Sequence, residues 1–321
     1  MKFVETSGVK VSSIGLGTWQ FGSREWGYGQ EYAEKTAVEL VHRALELGVN
    51  LIDTAEFYGF GKSEAVIGKA ISGLRDQVYV ATKLFPIFPV RSLVISRAKA
   101  SAVRLKVDAI DLYQLHWPNP VMPITETVKG LKMLLDDGKI RNVGVSNFSL
   151  NQWRSAEIAL GKPIISNQVH FSLLTRGPET ELVPFAQANN RIIIAYSPLE
   201  QGVLSGKYSS INRPKGMRSA RKFFFSTNLD RLRPLLDKLG QIATSHDASS
   251  AQIALAWLIS KPNVVAIPGA ATVAQLESNV AAADINLSKD EIETLDEMSS
   301  QFEPVGPGAF LTDLKTFAKR R

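Results

Sequence analysis

The chain predicts an α/β fold: a (β/α)8 TIM barrel preceded by a β-hairpin, with extra helices after strand seven and at the C-terminus. Two observations carry this. Short apolar segments alternate with amphipathic ones along the 321 residues, and each short segment is apolar on both faces, as in a covered parallel sheet. Ionisable and amide side chains also recur at successive strand ends, which is how a barrel gathers a site at its C-terminal mouth. A third observation removes an open doubly wound sheet. The first strand leads into Gly15-Leu16-Gly17-Thr18-Trp19, with no third glycine where a dinucleotide fingerprint needs it.

In chain order, residues 2–5 and 9–12 flank Ser7-Gly8 and read as the hairpin. Barrel strands are expected at 13–16, 50–52, 78–82, 110–115, 142–145, 164–168, 192–196 and 264–267. Apolar residues at helical spacing mark helices at 36–47, 63–72, 93–105, 124–136, 151–160 and 181–189. Residues 199–225 form a long loop punctuated by Gly202, Gly206, Pro214 and Gly216. Helices at 230–245, extra to the barrel, and 249–259 lead to strand eight, and one at 289–298 follows barrel helix eight. Residues 301–321, with Pro304, Gly306, Pro307, Gly308 and a basic end over 315–321, read as a C-terminal tail on a single domain covering 1–321.

Composition narrows the function classes. A 45% hydrophobic and 21% charged chain matches a soluble globular protein. The absence of cysteine excludes disulfides and thiolate metal centres. No run approaches the roughly 18 apolar residues of a membrane span, and the opening residues lack a signal-peptide core. A cytoplasmic protein without a membrane partner is expected. The net charge of +6 reads as a solvated excess or an attraction for an anionic small ligand, not as a nucleic-acid surface.

Asp53, Lys83 and His116 fall at or just after the ends of three consecutive strands, and Tyr58 lies on the loop beyond Asp53. An acid, an amine, an imidazole and a phenol make a proton-handling set. A lysine on a buried strand is costly unless paired, and Asp53 on the neighbouring strand is its natural partner. The pair is either a salt bridge that closes the barrel or part of that set. A tyrosine, with a reference pKa of about 10, needs help to give up a proton. The Lys83 ammonium is expected to lower it. His42, His170 and His246 have no comparable neighbours in sequence, whereas Trp117-Pro118 follow His116. No metal is expected: Lys83 would repel a cation bound at Asp53 and His116, and Glu56 is the nearest spare ligand. A Schiff-base aldolase using Lys83 is the sharper rival. It has no use for Tyr58 or for the nucleotide features that follow.

Residues 207–222 carry Lys207, Arg213, Lys215, Arg218, Arg221 and Lys222 and no acid. Such a run is usually a solvated loop, but loops after strands seven and eight are the usual phosphate site of these barrels. Ile267-Pro268-Gly269-Ala270-Ala271-Thr272 enters a helix N-terminus, where free N–H groups suit an anion. Ser146-Asn147, Asn167-Gln168 and Tyr196-Ser197 either turn the chain or line the mouth, with amides for a carboxamide and a ring for a planar heterocycle. Trp19, Phe21, Trp26, Phe57, Phe85, Trp117 and Phe148 are candidate walls of an apolar pocket.

These segments together resemble an aldo-keto reductase along essentially the whole chain. The resemblance rests on Gly15-Leu-Gly-Thr18-Trp19, Asp53-Thr-Ala-Glu-Phe-Tyr58-Gly, Ala81-Thr-Lys83, Leu112-Tyr-Gln-Leu-His116-Trp-Pro and Gly138-Lys-Ile-Arg-Asn-Val-Gly144-Val-Ser146-Asn147-Phe. It continues in Ser166-Asn-Gln168, Tyr196-Ser197-Pro198-Leu199, Gly202-Val-Leu-Ser-Gly-Lys207-Tyr and Ile267-Pro-Gly269. The chain looks most similar to the bacterial general-stress and inositol-associated branch, related to potassium-channel β subunits. The resemblance implies NADPH bound without a Rossmann fold, with NADH possible, and a small-molecule carbonyl substrate. It implies a tetrad of Asp53, Tyr58, Lys83 and His116, with Tyr58 as proton donor. It implies cofactor contacts at Thr18, Trp19, Asp53, Ser146, Asn147, Gln168, Tyr196, Ser197, Pro198, Leu199, Gly202, Lys207, Arg218, Gly269, Gln275 and Asn279. The channel relatives also imply an alternative, a nicotinamide-binding regulatory protein with little turnover. Where many relatives carry Lys, Arg or Ser two residues after the strand-eight glycine, this chain has Ala271. Where they carry Glu before the last asparagine, it has Ser278. Arg218, Arg221 or Lys222 would then meet the 2′-phosphate.

Overall fold

The structure is a computed structural model describing residues 1–23, 28–29 and 33–306. It opens with an antiparallel hairpin of β1 (Phe3–Thr6) and β2 (Val9–Ser12). Ser7 and Gly8 both have positive φ, 51° and 75°, the backbone that a two-residue hairpin turn requires. The hairpin closes the N-terminal end of the barrel. Ser12 N donates to Asn50 Oδ1 at 2.7 Å and Asn50 Nδ2 to Lys10 O at 2.9 Å.

Eight parallel strands follow: β3 (Leu16–Gly17), β4 (Leu51–Asp53), β5 (Tyr79–Leu84), β6 (Ile110–Leu115), β7 (Ile140–Ser146), β8 (Ser166–His170), β9 (Ile192–Tyr196) and β10 (Val264–Ala266). Each pairs with the next in chain order. Bridges Ile14 to Ala266 and Gly17 to Gly269 join the first strand to the last. A Cβ on Gly17 would lie 2.6 Å from Ile267 O, so the seam closes only around a residue without one.

The helices between strands are α1 (Glu34–Glu46), α2 (Lys62–Ala70), α3 (Arg91–Leu105), α4 (Ile124–Asp136), α5 (Leu150–Leu160) and α6 (Pro178–Ala188). After β9 come α7 (Ser226–Ser245) and α8 (Ser250–Ile259), and after β10 α9 (Val273–Ala281) and α10 (Lys289–Ser300). Ser149, Ser249 and Ser288 open α5, α8 and α10 with reciprocal caps, each supplying orphan N–H groups with a partner. α6 starts three residues before the apolar pattern does, with Pro178 in its first turn, where a missing N–H costs nothing. α7 likewise starts four residues early, because Asn228 and Leu229 are buried.

Strand alternation builds two apolar layers. Outward side chains such as Ile52, Val80, Tyr113, Val143 and Ala195 pack under the helices. Inward ones, Leu51, Ala81, Leu112, Ile192, Ile194 and Val265, fill the barrel over Val9 and Val11 of the hairpin. One step further along the same inward rows the residues become polar: Asp53, Lys83, Gln114, Ser146, Gln168. The tail begins against the extra helix, with Val305 N donating to Asn228 Oδ1 at 2.9 Å. The rest of the expected tail, including 315–321, lies outside the described residues. Among the described residues no helix is long and apolar enough to cross a membrane.

Candidate active site

Asp53 ends β4 and Lys83 lies near the end of β5, both inward and both buried, at 2% exposure or less. The Lys83 ammonium donates to both carboxylate oxygens of Asp53, at 2.7 and 2.8 Å, and to Thr54 O at 2.8 Å. It also lies 3.2 Å from the Tyr58 hydroxyl, as a donor to it. Gln168 Nε2, from β8 across the barrel, donates to Asp53 Oδ2 at 2.7 Å. Burial pushes the Asp53 carboxyl above its usual range, against the pull of Lys83. Burial opposes the Lys83 charge, but Asp53 and Tyr58 outweigh it and hold the ammonium above its usual range. A Schiff base needs a neutral, accessible amine, which this environment disfavours.

Tyr58 opens a tight turn over 58–61, and its ring lies under the Lys83 ammonium, 4.9 Å away. The expected lowering of its pKa is corrected: burial raises it, and the opposing effect of Lys83 is smaller. The phenol is therefore held protonated. His116, just past β6, meets the Tyr58 ring edge-on with centroids 5.9 Å apart. Burial first, and Lys83 second, lower its pKa to about 3, so the imidazole is neutral near pH 7. Among the described residues its buried Nδ1 has no hydrogen-bond partner. The four side chains thus form one chain of contacts, Asp53 to Lys83, Lys83 to Tyr58 and Tyr58 to His116.

A second layer fixes this set. Thr18 is fully buried and donates through Oγ1 to Asp53 O at 2.7 Å. Its hydroxyl supports the Asp53 backbone. Ser63, not singled out in the sequence, links Thr18 and Thr54. Glu56 accepts from Phe85 N at 2.5 Å and pairs with Arg97 of α3, so it is engaged and not spare.

The expected amide and ring residues also converge, except Asn167, which alternates to the other face of its strand and donates through Nδ2 to Phe148 O at 2.8 Å. Ser146 Oγ donates to Gln168 O at 2.9 Å. Asn147 Nδ2 donates to His116 O and to Ser146 Oγ at 3.2 and 3.0 Å, and its Oδ1 accepts from Tyr196 OH at 3.0 Å. Past β9 the chain turns through left-handed residues, Ser197, Glu200, Gln201 and Gly202, with Pro198 and Leu199 between. Only Gly202, at φ 101°, lacks a Cβ. Lys207 is exposed, its ammonium 4.9 Å from the Tyr208 ring. Across the seam Gly269 is exposed, and a Cβ there would lie 2.9 Å from Gln20 Oε1. Asn279 Nδ2 donates to Gly269 O at 3.3 Å, and Gln275 Oε1 accepts from Ala271 N at 2.9 Å. Thr272 caps α9 on Gln275 N. Arg218 sits in a turn over 216–220 within the basic loop.

The pocket walls divide. Trp19, Phe57 and Trp117 are 43–49% exposed, and Phe57 stacks on Phe85 with centroids 4.8 Å apart. Phe21 is fully buried in the outer core and is no wall. Trp26 lies outside the described residues. Phe148 is buried and lines a separate groove of about 220 Å³ with Pro86, Leu115, Trp117 and Met122. None of Asp53, Tyr58, Lys83 or His116 lines that groove. His170 is not isolated: it ends β8, stacks on Tyr196 and lies 2.9 Å from Glu200. Its neighbours come from β9 and the following loop, a juxtaposition that local sequence does not carry.

The geometry is that of a barrel oxidoreductase, and the comparisons agree. The model of the Aldo/keto reductase family matches residues 13–300, and the chain belongs to that family. It is an NAD(P)H-dependent oxidoreductase. It is 54% identical over 315 residues to an uncharacterized oxidoreductase of Mycobacterium tuberculosis, covering 98% of each chain. It is 31% identical over 321 residues to an NADH-specific methylglyoxal reductase of Escherichia coli, covering 93% of this chain and 98% of that one. The crystal structure of an aldo/keto reductase from Klebsiella pneumoniae in complex with NADP and acetate matches with a TM-score of 0.75 at 31% identity, over 95% of this chain and 98% of the other.

Proposed function

We propose that the chain reduces apolar aldehydes or ketones to alcohols with NADPH, using Tyr58 as the general acid. The observation that carries this is the 3.2 Å approach of Lys83 Nζ to the Tyr58 hydroxyl, with Asp53 clamping the same ammonium. The mouth would hold a reduced nicotinamide, which would supply the hydride for the carbonyl carbon. Tyr58 donates its proton to the carbonyl oxygen. As negative charge passes to the phenol oxygen, the nearby ammonium stabilises it, so Lys83 acts when charge develops more than in the resting state. Neutral His116 offers a ring N–H to orient the carbonyl. Asp53 keeps Lys83 charged and in place.

The residues present suit a dinucleotide. The half-buried Tyr196 offers a ring, exposed Gly269 an open backbone approach, and 207–222 six cations without an acid. The exposed rings of Trp117, stacked on His116, and of Phe57, stacked on Phe85 next to it, favour a substrate with apolar or aromatic bulk. Residues 1–321 would act as one catalytic domain.

The test is turnover of NADPH and NADH against a panel of aldehydes and ketones, with Tyr58→Phe alongside. That variant should bind NADPH like the parent and lose roughly 10²–10⁴-fold in turnover, the usual share of a general acid. A Tyr58→Phe protein that reduces aldehydes at the parental rate would sink the mechanism.

A further inference from the structure

The last inward residues of β8 and β9 form an assembly that the tetrad does not use. Tyr196 ends β9, and its hydroxyl reaches over β8 to Asn147, just past β7, at 3.0 Å. His170 ends β8 in register with Tyr196. Their rings lie nearly parallel, at 14°, with centroids 5.3 Å apart. Behind them Glu200 is 95% buried by its 5% exposure. Its Oε1 lies 2.9 Å from His170 Nε2, accepts from Thr175 Oγ1 at 2.8 Å and accepts from Ser172 Oγ. Glu200 also holds a left-handed backbone at φ 47°, a conformation that persists in a non-glycine residue only where the surroundings over-determine it.

We propose that His170 and Glu200 are positioning residues that hold the Tyr196 ring as a fixed platform for the nicotinamide ring. The proposal rests on the cofactor reading above. Tyr196 is fixed at its hydroxyl by Asn147 and along one ring face by His170. On this proposal the opposite face would take the planar ligand, and because the ring is already immobilised, stacking on it would cost little further ordering. The Glu200 carboxylate lies against His170 Nε2 at 2.9 Å, a contact by proximity without hydrogen-bond geometry, and Ser172 and Thr175 satisfy the same buried carboxylate. Glu200 also begins the left-handed turn that leads to Gly202 and Lys207, so the same residue that steadies the platform sets the start of the basic loop.

The experiment titrates the full chain and its variants with NADPH and, separately, with 2′-phospho-ADP-ribose, which lacks the nicotinamide, following protein fluorescence. His170→Ala is expected to raise the NADPH Kd roughly 3- to 10-fold, the range of one aromatic stacking contact. It should leave the Kd of 2′-phospho-ADP-ribose unchanged. His170→Phe should restore NADPH affinity, and Glu200→Gln should fall between. Thermal midpoints of all variants separate this from loss of fold. Equal weakening of both ligands, or no rescue by His170→Phe, would mean that His170 serves the structure alone and would overturn the platform. A parent chain that binds NADPH and a His170→Ala variant that binds it equally well would do the same. A parent that binds neither NADPH nor NADH would overturn the cofactor reading and this inference with it.

Discussion

Lys83 Nζ stands 3.2 Å from the Tyr58 hydroxyl while both oxygens of Asp53 hold the same ammonium from behind, at 2.7 and 2.8 Å. The two carboxylate bonds are short and the phenol contact is long. The ammonium therefore belongs to Asp53 at rest and is available to Tyr58 when the phenol loses its proton.

The buried pair has a consequence for stability. Asp53→Asn would leave an ammonium inside the barrel without a counter-charge, and breaking such a pair typically costs about 3–5 kcal/mol. Urea unfolding should show that loss. Adding Lys83→Met to the same chain should recover much of it, because the double variant buries no charge. If the single variant unfolds at the parental urea midpoint, the Asp53–Lys83 contact is not formed in solution.

His116 gives a pH prediction with a definite sign. Its pKa is lowered to about 3 by burial and by Lys83. The imidazole is then neutral above that value and does not titrate through the range where an ordinary histidine would, near 6.5. Tyr58 is held above its usual range, so its proton is present through neutral pH and is lost only above about 10. The kcat/KM for reduction should be level from about pH 5 to 8. A limb near pH 6.5 in the parent that disappears in His116→Gln would show a titrating imidazole and contradict the burial argument.

The clustering of Asp53, Tyr58, Lys83 and His116 was legible because strand ends are legible. An apolar run that stops at Asp53, Lys83 or His116 fixes both the strand and its mouth. The inward rows then follow from period-two alternation. What was not legible depends on partners far apart in the chain. His170 looked isolated because the apolar pattern ends at Gln168, while the strand runs on to His170 and meets Tyr196 from the next strand. Phe21 looked like a wall because it neighbours Trp19, yet it turns into the outer core. The sign at Tyr58 was misjudged because sequence reveals the neighbouring ammonium but not the burial that outweighs it.

The basic loop predicts the cofactor's salt behaviour. Residues 207–222 hold six cations and no acid, and on the proposed reading the 2′-phosphate that distinguishes NADPH from NADH would be the extra anion for them to meet. NADPH binding should weaken more steeply with ionic strength than NADH binding, since exposed charges are screened within a Debye length of about 8 Å at 0.15 M salt. The double substitution Arg221→Ala with Lys222→Ala, both exposed, should raise the Kd for NADPH and leave that for NADH within about two-fold, at the scale of exposed ion pairs. Equal loss for both cofactors would assign these two cations to the shared pyrophosphate.

Phe60 carries the last prediction. It holds a left-handed backbone, φ 55° and ψ 48°, between Gly59 and Gly61, which are also left-handed. Such a conformation costs a bulky residue about 1–2 kcal/mol, and Phe60 recovers little by burial, being 88% exposed. Its ring instead meets Phe57 edge-on at 5.5 Å, and Phe57 stacks on Phe85 beside His116. An exposed aromatic kept in an unfavourable backbone at the lip of a site is expected to serve the ligand. Phe60→Gly should therefore leave stability within about 1 kcal/mol of the parent, the relieved strain offsetting the added freedom of the unfolded chain. It should also raise the KM for an aryl aldehyde roughly 3- to 10-fold, the value of one aromatic contact, with kcat little changed. Propanal, which offers no ring, should show the parental KM. If the aryl aldehyde and propanal are affected alike, Phe60 shapes the Tyr58 turn and does not contact the substrate.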